Sequence, residues 1–209
     1  MERHKLFIIS GPSCVGKTTL VTRFIQHHPE YPLRRIVTCT TRPPRSHEID
    51  GRDYHFLRKE DFEKEIQLGS FLEFTQVYGD HFYGTLIRSV ASTAPIEHLL
   101  LIVDVHGTHI LLQSIPEYFP FLQGHCVSLF LKPRDLETLK QRFKERQEPP
   151  DEIARRMEAI STEIRYAERY HYIIPSGTIE EDEDALDSIY RKETKNICAS
   201  PEEKLEESH

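Results

Sequence analysis

The sequence lacks tryptophan, an excess of positive charge and any long unbroken hydrophobic run. A membrane-spanning helix needs roughly 18 to 20 apolar residues in succession, so no membrane association is expected. The net charge of −7 gives no general basic surface. A general nucleic-acid binder is therefore not expected, and only a local basic groove remains open.

Cysteine is also scarce, with four residues that stand far apart and without CxxC spacing. This excludes a disulfide framework or a zinc site of the usual spacing and indicates a reducing compartment. A strand is predicted almost at Met1, which leaves no space for a secretory or transit segment. We therefore expect a cytoplasmic protein.

A glycine-rich turn near the start carries the most specific motif. It follows an apolar run at residues 6–9 and precedes a stretch with helical spacing of apolar residues. Glycines let the backbone direct successive N–H groups at phosphate oxygens, and the following helix adds the positive end of its dipole. The lysine can then reach the outer phosphates, and the threonine hydroxyl can ligate Mg²⁺. The spacing GxxxxGK[ST] predicts a nucleoside triphosphate site formed by Gly11, Pro12, Ser13, Cys14, Val15, Gly16, Lys17 and Thr18.

Continuous apolar runs separated by helical patterns predict the fold class. The runs, which are typical of strands buried on both faces, occupy residues 6–10, 99–104, 127–131 and 172–174. The helical patterns occupy about residues 17–28, 59–68, 135–146, 150–164 and 180–192. We predict an α/β fold with a parallel sheet flanked by helices. Alternating segments around a turn at Gly79 and Asp80 predict an antiparallel insert at about residues 35–91.

A proline-stiffened loop presents Arg42 and Arg45 ahead of Tyr54. The paired prolines exclude a helix there. Guanidinium groups bind a monophosphate through paired hydrogen bonds, and a phenol adds a donor. The loop therefore suits a phosphorylated acceptor, although these residues alone leave open a merely solvated charged loop.

Together these motifs make the sequence resemble the guanylate kinase family. The resemblance runs from about residue 6 to residue 191 and includes the phosphate loop, the TTRxPRxxExxGxDYxF block and the Phe-Leu-Glu and Tyr-Gly-Thr segments. It implies transfer of the γ-phosphoryl group of MgATP to GMP, giving GDP and ADP for purine nucleotide metabolism, with dGMP as a second acceptor. It further implies a P-loop NTPase core, a GMP-binding insert and a helical lid at about residues 142–156. All three lie in one predicted domain of residues 1–198, ahead of an acidic tail at 199–209 that is too charged to pack.

The resemblance also assigns the acceptor site. The residues expected to bind GMP are Thr38, Arg42, Arg45, Glu48, Tyr54, Glu73, Tyr83, Thr85 and Asp104. Among them Thr38, Glu73 and Asp104 are expected to read guanine. Guanine offers N1–H and an amino group as donors and O6 as an acceptor, so two carboxylates and a hydroxyl complement its edge. Adenine would leave the buried acceptors unpaired.

Catalysis is assigned by the same resemblance to Lys17, Arg45, Arg142 and Arg156, with Mg²⁺ on Thr18. A phosphate acceptor is largely ionised at neutral pH and needs no general base. The remaining task is alignment and charge neutralisation of an in-line transfer. The expected partners are ATP and GMP, and the chain is expected to be a monomer or a homodimer.

Two departures from the family pattern concern the donor side. The family writes Asp-x-Asp-x-Gln-Gly where this chain has Ile102, Asp104 and His106. Because the first acid belongs to the metal side, Mg²⁺ is expected to depend mainly on Thr18, water and ATP. Cys14 stands where the family has glycine and is either a tolerated small residue or a redox-sensitive thiol with a lowered pKa.

Two other functions remain open. One is a guanylate-kinase-like scaffold module, against which the intact phosphate loop argues and for which Ile102 argues weakly. The other is a kinase of a different small phosphorylated acceptor, over which Thr38, Glu73 and Asp104 favour guanine.

Overall fold

Two sheets organise the computed structural model, which describes residues 4–77, 81–92 and 97–195. The strands are β1 (Leu6–Ser10), β2 (Leu33–Arg35), β3 (Cys39–Thr40), β4 (His55–Phe56), β5 (Phe71–Val77), β6 (His81–Leu86), β7 (His98–Ile102), β8 (Cys126–Pro133) and β9 (Tyr172–Ser176). The helices are α1 (Lys17–His27), α2 (Lys59–Gln67), α3 (Ile87–Ala91), α4 (Val105–Tyr118), α5 (Leu136–Glu145), α6 (Pro150–Arg165) and α7 (Ile179–Thr194). Among these described residues, no helix has the length and apolar character needed to cross a membrane.

The larger sheet confirms the predicted parallel core. Its strand order is β2-β7-β1-β8-β9, and every pairing is parallel. Strand β1 is buried along its whole length because helices cover both faces. Phe7 and Ile9 pack with α1 and α7, whereas Leu6 and Ile8 pack on the opposite face with Leu111 of α4.

The smaller sheet contains the predicted antiparallel insert with one parallel addition. Its order is β4-β3-β6-β5, with β6 antiparallel to both β3 and β5. Strands β3 and β4 run parallel because the long loop between them carries the chain back before β4 begins. The predicted turn at Gly79 and Asp80 and the predicted tail at residues 199–209 lie outside the described residues.

Helices α3 and α4 are not predicted by the sequence pattern. Gly107 and Pro116, both poor helix formers, lie within α4 and weaken its pattern. The helix begins where the Asp104 side chain caps it by accepting a hydrogen bond from the Gly107 amide. Because α4 follows β7 and packs against β5, it brings the carboxyl end of the parallel sheet next to the smaller sheet. A cleft between the two sheets results, at the edge where α/β folds bind ligands.

Candidate active site

The phosphate loop joins β1 to α1 with the backbone that its glycines allow. Gly11 has φ 141° and Gly16 has φ 114°, values that disfavour other residues. A Cβ atom at Gly11 would also collide with the carbonyl oxygen of Leu131 in the neighbouring strand. The loop therefore packs closely against the neighbouring strand. It leads directly into the N-terminus of α1, where Thr18 is exposed.

Lys17 folds across this loop. Its Nζ donates to the carbonyl oxygens of Gly11 at 2.5 Å and Pro12 at 2.8 Å. Burial lowers the pKa of Lys17 to about 8, and the nearby carboxylates of Glu163 and Asp104 act in the opposite direction. Both acids line the same cavity as Lys17. The ammonium therefore lies in a setting where added negative charge would stabilise its protonated form.

Cys14 has a backbone conformation that explains why glycine suits this position. Its φ is 64°, in the left-handed region, and its side chain is buried in the core. Burial raises the pKa of the thiol, while Arg146 opposes that rise. The suggested lowering of the thiol pKa is therefore wrong, because burial outweighs the positive groups around it.

One cavity joins the phosphate loop to the smaller sheet. The predicted residues that line it are Gly11, Ser13, Cys14, Gly16, Lys17, Thr18, Thr38, Arg42, Arg45, Glu48, Tyr54, Glu73, Tyr83, Asp104 and Arg156. The predicted residues outside this lining are Pro12, Val15, Thr85 and Arg142. Residues expected on the donor side and on the acceptor side therefore face a single space.

Glu48 stabilises the conformation of the loop that carries Arg42 and Arg45. Its Oε1 accepts from Nη2 of Arg42 at 2.9 Å, and its Oε2 accepts from the backbone amide of Arg45 at 2.8 Å. Although burial acts in the opposite direction, the hydrogen bonds from the two arginines hold the pKa of Glu48 below its usual range. A half-buried, ionised acid thus holds the guanidinium of Arg42 and the backbone of Arg45, and both arginines line one wall of the cavity.

Two tyrosines complete this wall. The rings of Tyr54 and Tyr83 meet edge to face with 6.1 Å between centroids. The Arg42 guanidinium lies 5.8 Å from the centre of the Tyr54 ring. Burial raises the pKa of Tyr54, so its hydroxyl stays protonated and remains a donor. The wall therefore presents guanidinium and phenol groups together, a set that suits a phosphate.

Glu73 also lines the cavity and is only 4% exposed. The hydroxyl of Thr85, which is fully buried, donates to Glu73 Oε1 at 2.6 Å. Burial raises the pKa of Glu73 to about 8, and the charge of Asp104 adds to that rise. Thr85 thus contacts the acid and lies behind the cavity wall, although it was predicted as a nucleotide ligand.

Asp104 receives two hydrogen bonds from different elements. Its Oδ1 accepts from the Gly107 amide at 2.7 Å, and its Oδ2 accepts from the Thr75 hydroxyl at 2.6 Å. A Cβ atom at Gly107 would lie 2.8 Å from Glu73 Oε2 and 3.4 Å from Asp104 Oδ1. The two acids therefore converge on the first turn of α4, where only glycine leaves space for both.

The arginines of α5 and α6 differ in position. Arg142, expected over the reacting phosphoryl group, instead donates to the carbonyl oxygens of Cys14 at 3.0 Å and Val15 at 3.1 Å. Arg146, one turn further on, lines the cavity, as does Arg156. Glu148 lies in the loop between α5 and α6, with Oε2 3.0 Å from Nε of Arg156 and Oε1 4.0 Å from Nη2 of Arg45. One acid therefore connects a predicted lid arginine with a predicted acceptor-site arginine.

Several cavity residues were missed by sequence reasoning, among them Thr75, Val77, Arg146 and Glu163. A simple signal exists for the first two, because residues 73, 75 and 77 share one face of a strand. Arg146 follows Arg142 by four residues, and Glu163 follows Arg156 by seven. Helical periodicity therefore places each of them on the same helix face as a predicted arginine. It does not show which residues of that face line the cavity.

The donor set fits a magnesium ion that arrives with a nucleotide. The described residues contain no group of three or more His, Cys, Asp and Glu side chains placed to hold a metal. The exposed Thr18 hydroxyl faces the cavity, and Ile102 lines it where an acid was expected. Oxygen ligands from Thr18, water and phosphates are the kind that Mg²⁺ prefers.

Comparison with known proteins identifies the family. The model of the guanylate kinase family matches residues 3–193. The chain is 35% identical over 187 residues to a guanylate kinase of Chlorobium luteolum, with 88% of each chain covered. It is 37% identical over 171 residues to one of Symbiobacterium thermophilum, covering 81% of this chain and 76% of that one. The crystal structure of guanylate kinase from Anaplasma phagocytophilum has a TM-score of 0.72 at 25% identity, with 100% and 96% of the two chains covered. The chain therefore belongs to the guanylate kinase family.

Proposed function

We propose that this protein transfers the γ-phosphoryl group of MgATP to GMP, and also to dGMP, giving GDP or dGDP and ADP. In the reaction the bond from the γ-phosphorus to the bridging oxygen of ADP breaks while an oxygen of the acceptor phosphate forms the new bond. The proposal rests on one observation, a cavity that is lined by the phosphate loop, by Arg42 and Arg45, and by the acids Glu73 and Asp104.

The donor side is built from the phosphate loop. Backbone N–H groups and the N-terminus of α1 suit the β- and γ-phosphates, and Lys17 can leave its loop carbonyls to bind them. Thr18 would hold Mg²⁺, which supplies charge neutralisation to the phosphates when bound. Arg146 and Arg156 line the cavity from the predicted lid and are suited to stabilise charge on the transferring group.

The acceptor side is suited to bind GMP at both its phosphate and its guanine base. Arg42, Arg45 and the two tyrosines suit its phosphate, and Glu73, Asp104 and Thr38 suit its guanine edge. Guanine N1–H and amino donors favour the carboxylate form of Glu73, so binding is expected to displace a proton from that acid. Buried acceptors left unpaired by adenine would reject AMP by a factor on the order of 10⁴.

The metabolic setting belongs to the same proposal. A GMP kinase would serve purine nucleotide metabolism in the cytoplasm. The described cysteines Cys14, Cys39 and Cys126 are free thiols, which supports a reducing compartment.

The test is an ADP-release assay with MgATP and, in turn, GMP, AMP, CMP and UMP. We expect turnover that is selective for GMP and that is abolished in Lys17→Ala. Turnover with another acceptor in preference to GMP would contradict the proposal.

Ile102 in the cavity lining favours one second candidate, a nucleotide-binding module with weak turnover. GMP binding in calorimetry without ADP release would support that candidate. ADP release at a rate typical of kinases would exclude it.

A further inference from the structure

We infer that Thr75 is a specificity-determining residue that fixes Asp104 for reading the amino group of guanine. The inference rests on the proposed GMP-binding function. Its structural basis is the 2.6 Å hydrogen bond from the Thr75 hydroxyl to Asp104 Oδ2. This length is in the short range that is typical of a hydroxyl donating to a carboxylate.

The first step concerns the freedom of an aspartate side chain. Rotation about χ2 of aspartate is broad and roughly two-fold, so one hydrogen bond leaves the plane of the carboxylate poorly defined. Asp104 Oδ1 is held by the Gly107 amide of α4, and Oδ2 is held by Thr75 of β5. Two donors on opposite oxygens therefore fix the plane. Since each carboxylate oxygen has two acceptor sites, one on each remains for a ligand.

The second step concerns position. Thr75 lies two residues after Glu73 on β5, so the two side chains share the face that lines the cavity. Asp104 belongs to the end of the parallel sheet, whereas Glu73 belongs to the smaller sheet. The Thr75 hydroxyl therefore connects β5, the strand that carries Glu73, directly to Asp104, the second acid expected to read the guanine edge. It keeps the spacing of the two acids matched to N1–H and the amino group.

The third step concerns chemistry at the cavity surface. When the Thr75 hydroxyl donates to Asp104, its own lone pairs remain available as acceptors. Thr75 is half-buried and lines the cavity, so a guanine amino group beside Asp104 meets a continuous row of acceptors. Inosine monophosphate lacks that amino group and therefore donates no hydrogen bond to these acceptors. Discrimination between GMP and IMP is therefore the property that Thr75 controls.

The experiment compares GMP and IMP on the full chain by calorimetric binding and by steady-state kinetics. Thr75→Val and Thr75→Ala both remove the hydroxyl, Thr75→Ser keeps it, and Thr22→Val is the matched control at an exposed position on α1. We expect the preference for GMP over IMP to fall about tenfold in the first two variants, because a hydrogen bond to a charged group is lost. The serine variant and the control keep the wild-type ratio.

A GMP-to-IMP ratio that is unchanged or increased in folded Thr75→Val or Thr75→Ala would overturn the inference. A general loss of stability would lower binding of both nucleotides equally and leave the ratio unaltered, so the ratio separates specificity from structure. Failure of the proposed function looks different. In that case the wild-type protein itself would show no preference for GMP in binding or turnover.

Discussion

At the scale of single residues, two adjacent arginines on α6 offer a controlled test of the catalytic assignment. Arg156 lines the cavity and pairs with Glu148 and Glu152, whereas the more exposed Arg155 pairs with Asp151 and with the other oxygen of Glu152. We expect Arg156→Ala to lower kcat about 100-fold or more, because a group that stabilises developing charge is removed. Arg155→Ala should change kcat by less than about twofold, since exposed ion pairs contribute little. Equal losses in the two variants would contradict the assignment.

A buried histidine determines a second prediction at this scale. His98 is 3% exposed, and its Nδ1 accepts a hydrogen bond from the Lys5 amide. Burial lowers the pKa of His98 from 6.5 to about 4. The unfolded chain therefore binds more protons at this residue between those values, and the free energy of unfolding falls as the pH decreases through that interval. The total loss from this residue is roughly 3 kcal/mol.

The measurement is denaturant unfolding at several pH values between 7 and 4. His98→Asn can retain an acceptor for the Lys5 amide but does not titrate in this range, so its stability should depend less steeply on pH. His109→Asn, at an exposed position on α4, is the control and should keep the wild-type slope. Parallel curves for His98→Asn and the wild type would show that His98 is not the linked group.

At the scale of elements, the close approach of α4 to β5 makes Gly107 a sensitive position. Alanine favours a helix over glycine by roughly 1 kcal/mol, so local propensity alone predicts stabilisation. The Cβ atom of an alanine at position 107, however, would lie 2.8 Å from Glu73 Oε2. We expect Gly107→Ala to raise the KM for GMP at least about tenfold by displacing that acid. Gln113→Ala, exposed on the same helix, should leave KM unchanged. An unaltered KM in Gly107→Ala would show that the acid can move without loss.

Two arginines, Arg142 in α5 and Arg146 directly after it, have different expected effects. Arg142 donates to two carbonyl oxygens of the phosphate loop, and Arg146 lines the cavity. We expect Arg142→Ala to lower the melting temperature and weaken ATP binding, because two loop carbonyls lose their donor. Arg146→Ala should lower kcat while leaving the melting temperature within about 2 °C of the wild type. Thermal unfolding, calorimetry with ATP and steady-state kinetics separate the two roles. A lower melting temperature in Arg146→Ala together with a lower kcat at unchanged melting temperature in Arg142→Ala would contradict this assignment of roles.

At the scale of the whole molecule, Glu148 connects the predicted lid to the insert. Its carboxylate lies near Arg45 on one side and contacts Arg156 on the other. We expect Glu148→Gln to increase amide hydrogen exchange at residues 146–152 about tenfold without nucleotide, because the lid loses a partly buried ion pair. Addition of ATP and GMP should restore protection, since phosphates can replace the carboxylate between the arginines. Exchange equal to the wild type without nucleotide would show that other contacts hold the lid.

Four of the five strands of the larger sheet were predictable because their determinants are local, whereas the short edge strand β2 was not predicted. Each of β1, β7 and β8 is a continuous apolar run, and burial on both faces produces that pattern directly. The parallel β3–β4 pairing and helix α4 were not predicted. Strand pairing between distant segments depends on loop path, and α4 depends on packing that overrides the glycine and proline within it.

The sequence by itself determined the phosphate loop, the arginine loop and the resemblance that connects them, because fixed spacings of glycine, lysine and arginine carry their own chemistry. Only the tertiary structure decided which side chains face the cavity. It directs Arg142 to the loop carbonyls, Thr85 to Glu73 and Thr75 to Asp104. The physical reason is that these contacts join residues from different strands, helices and loops, and their partners are chosen by packing rather than by spacing along the chain.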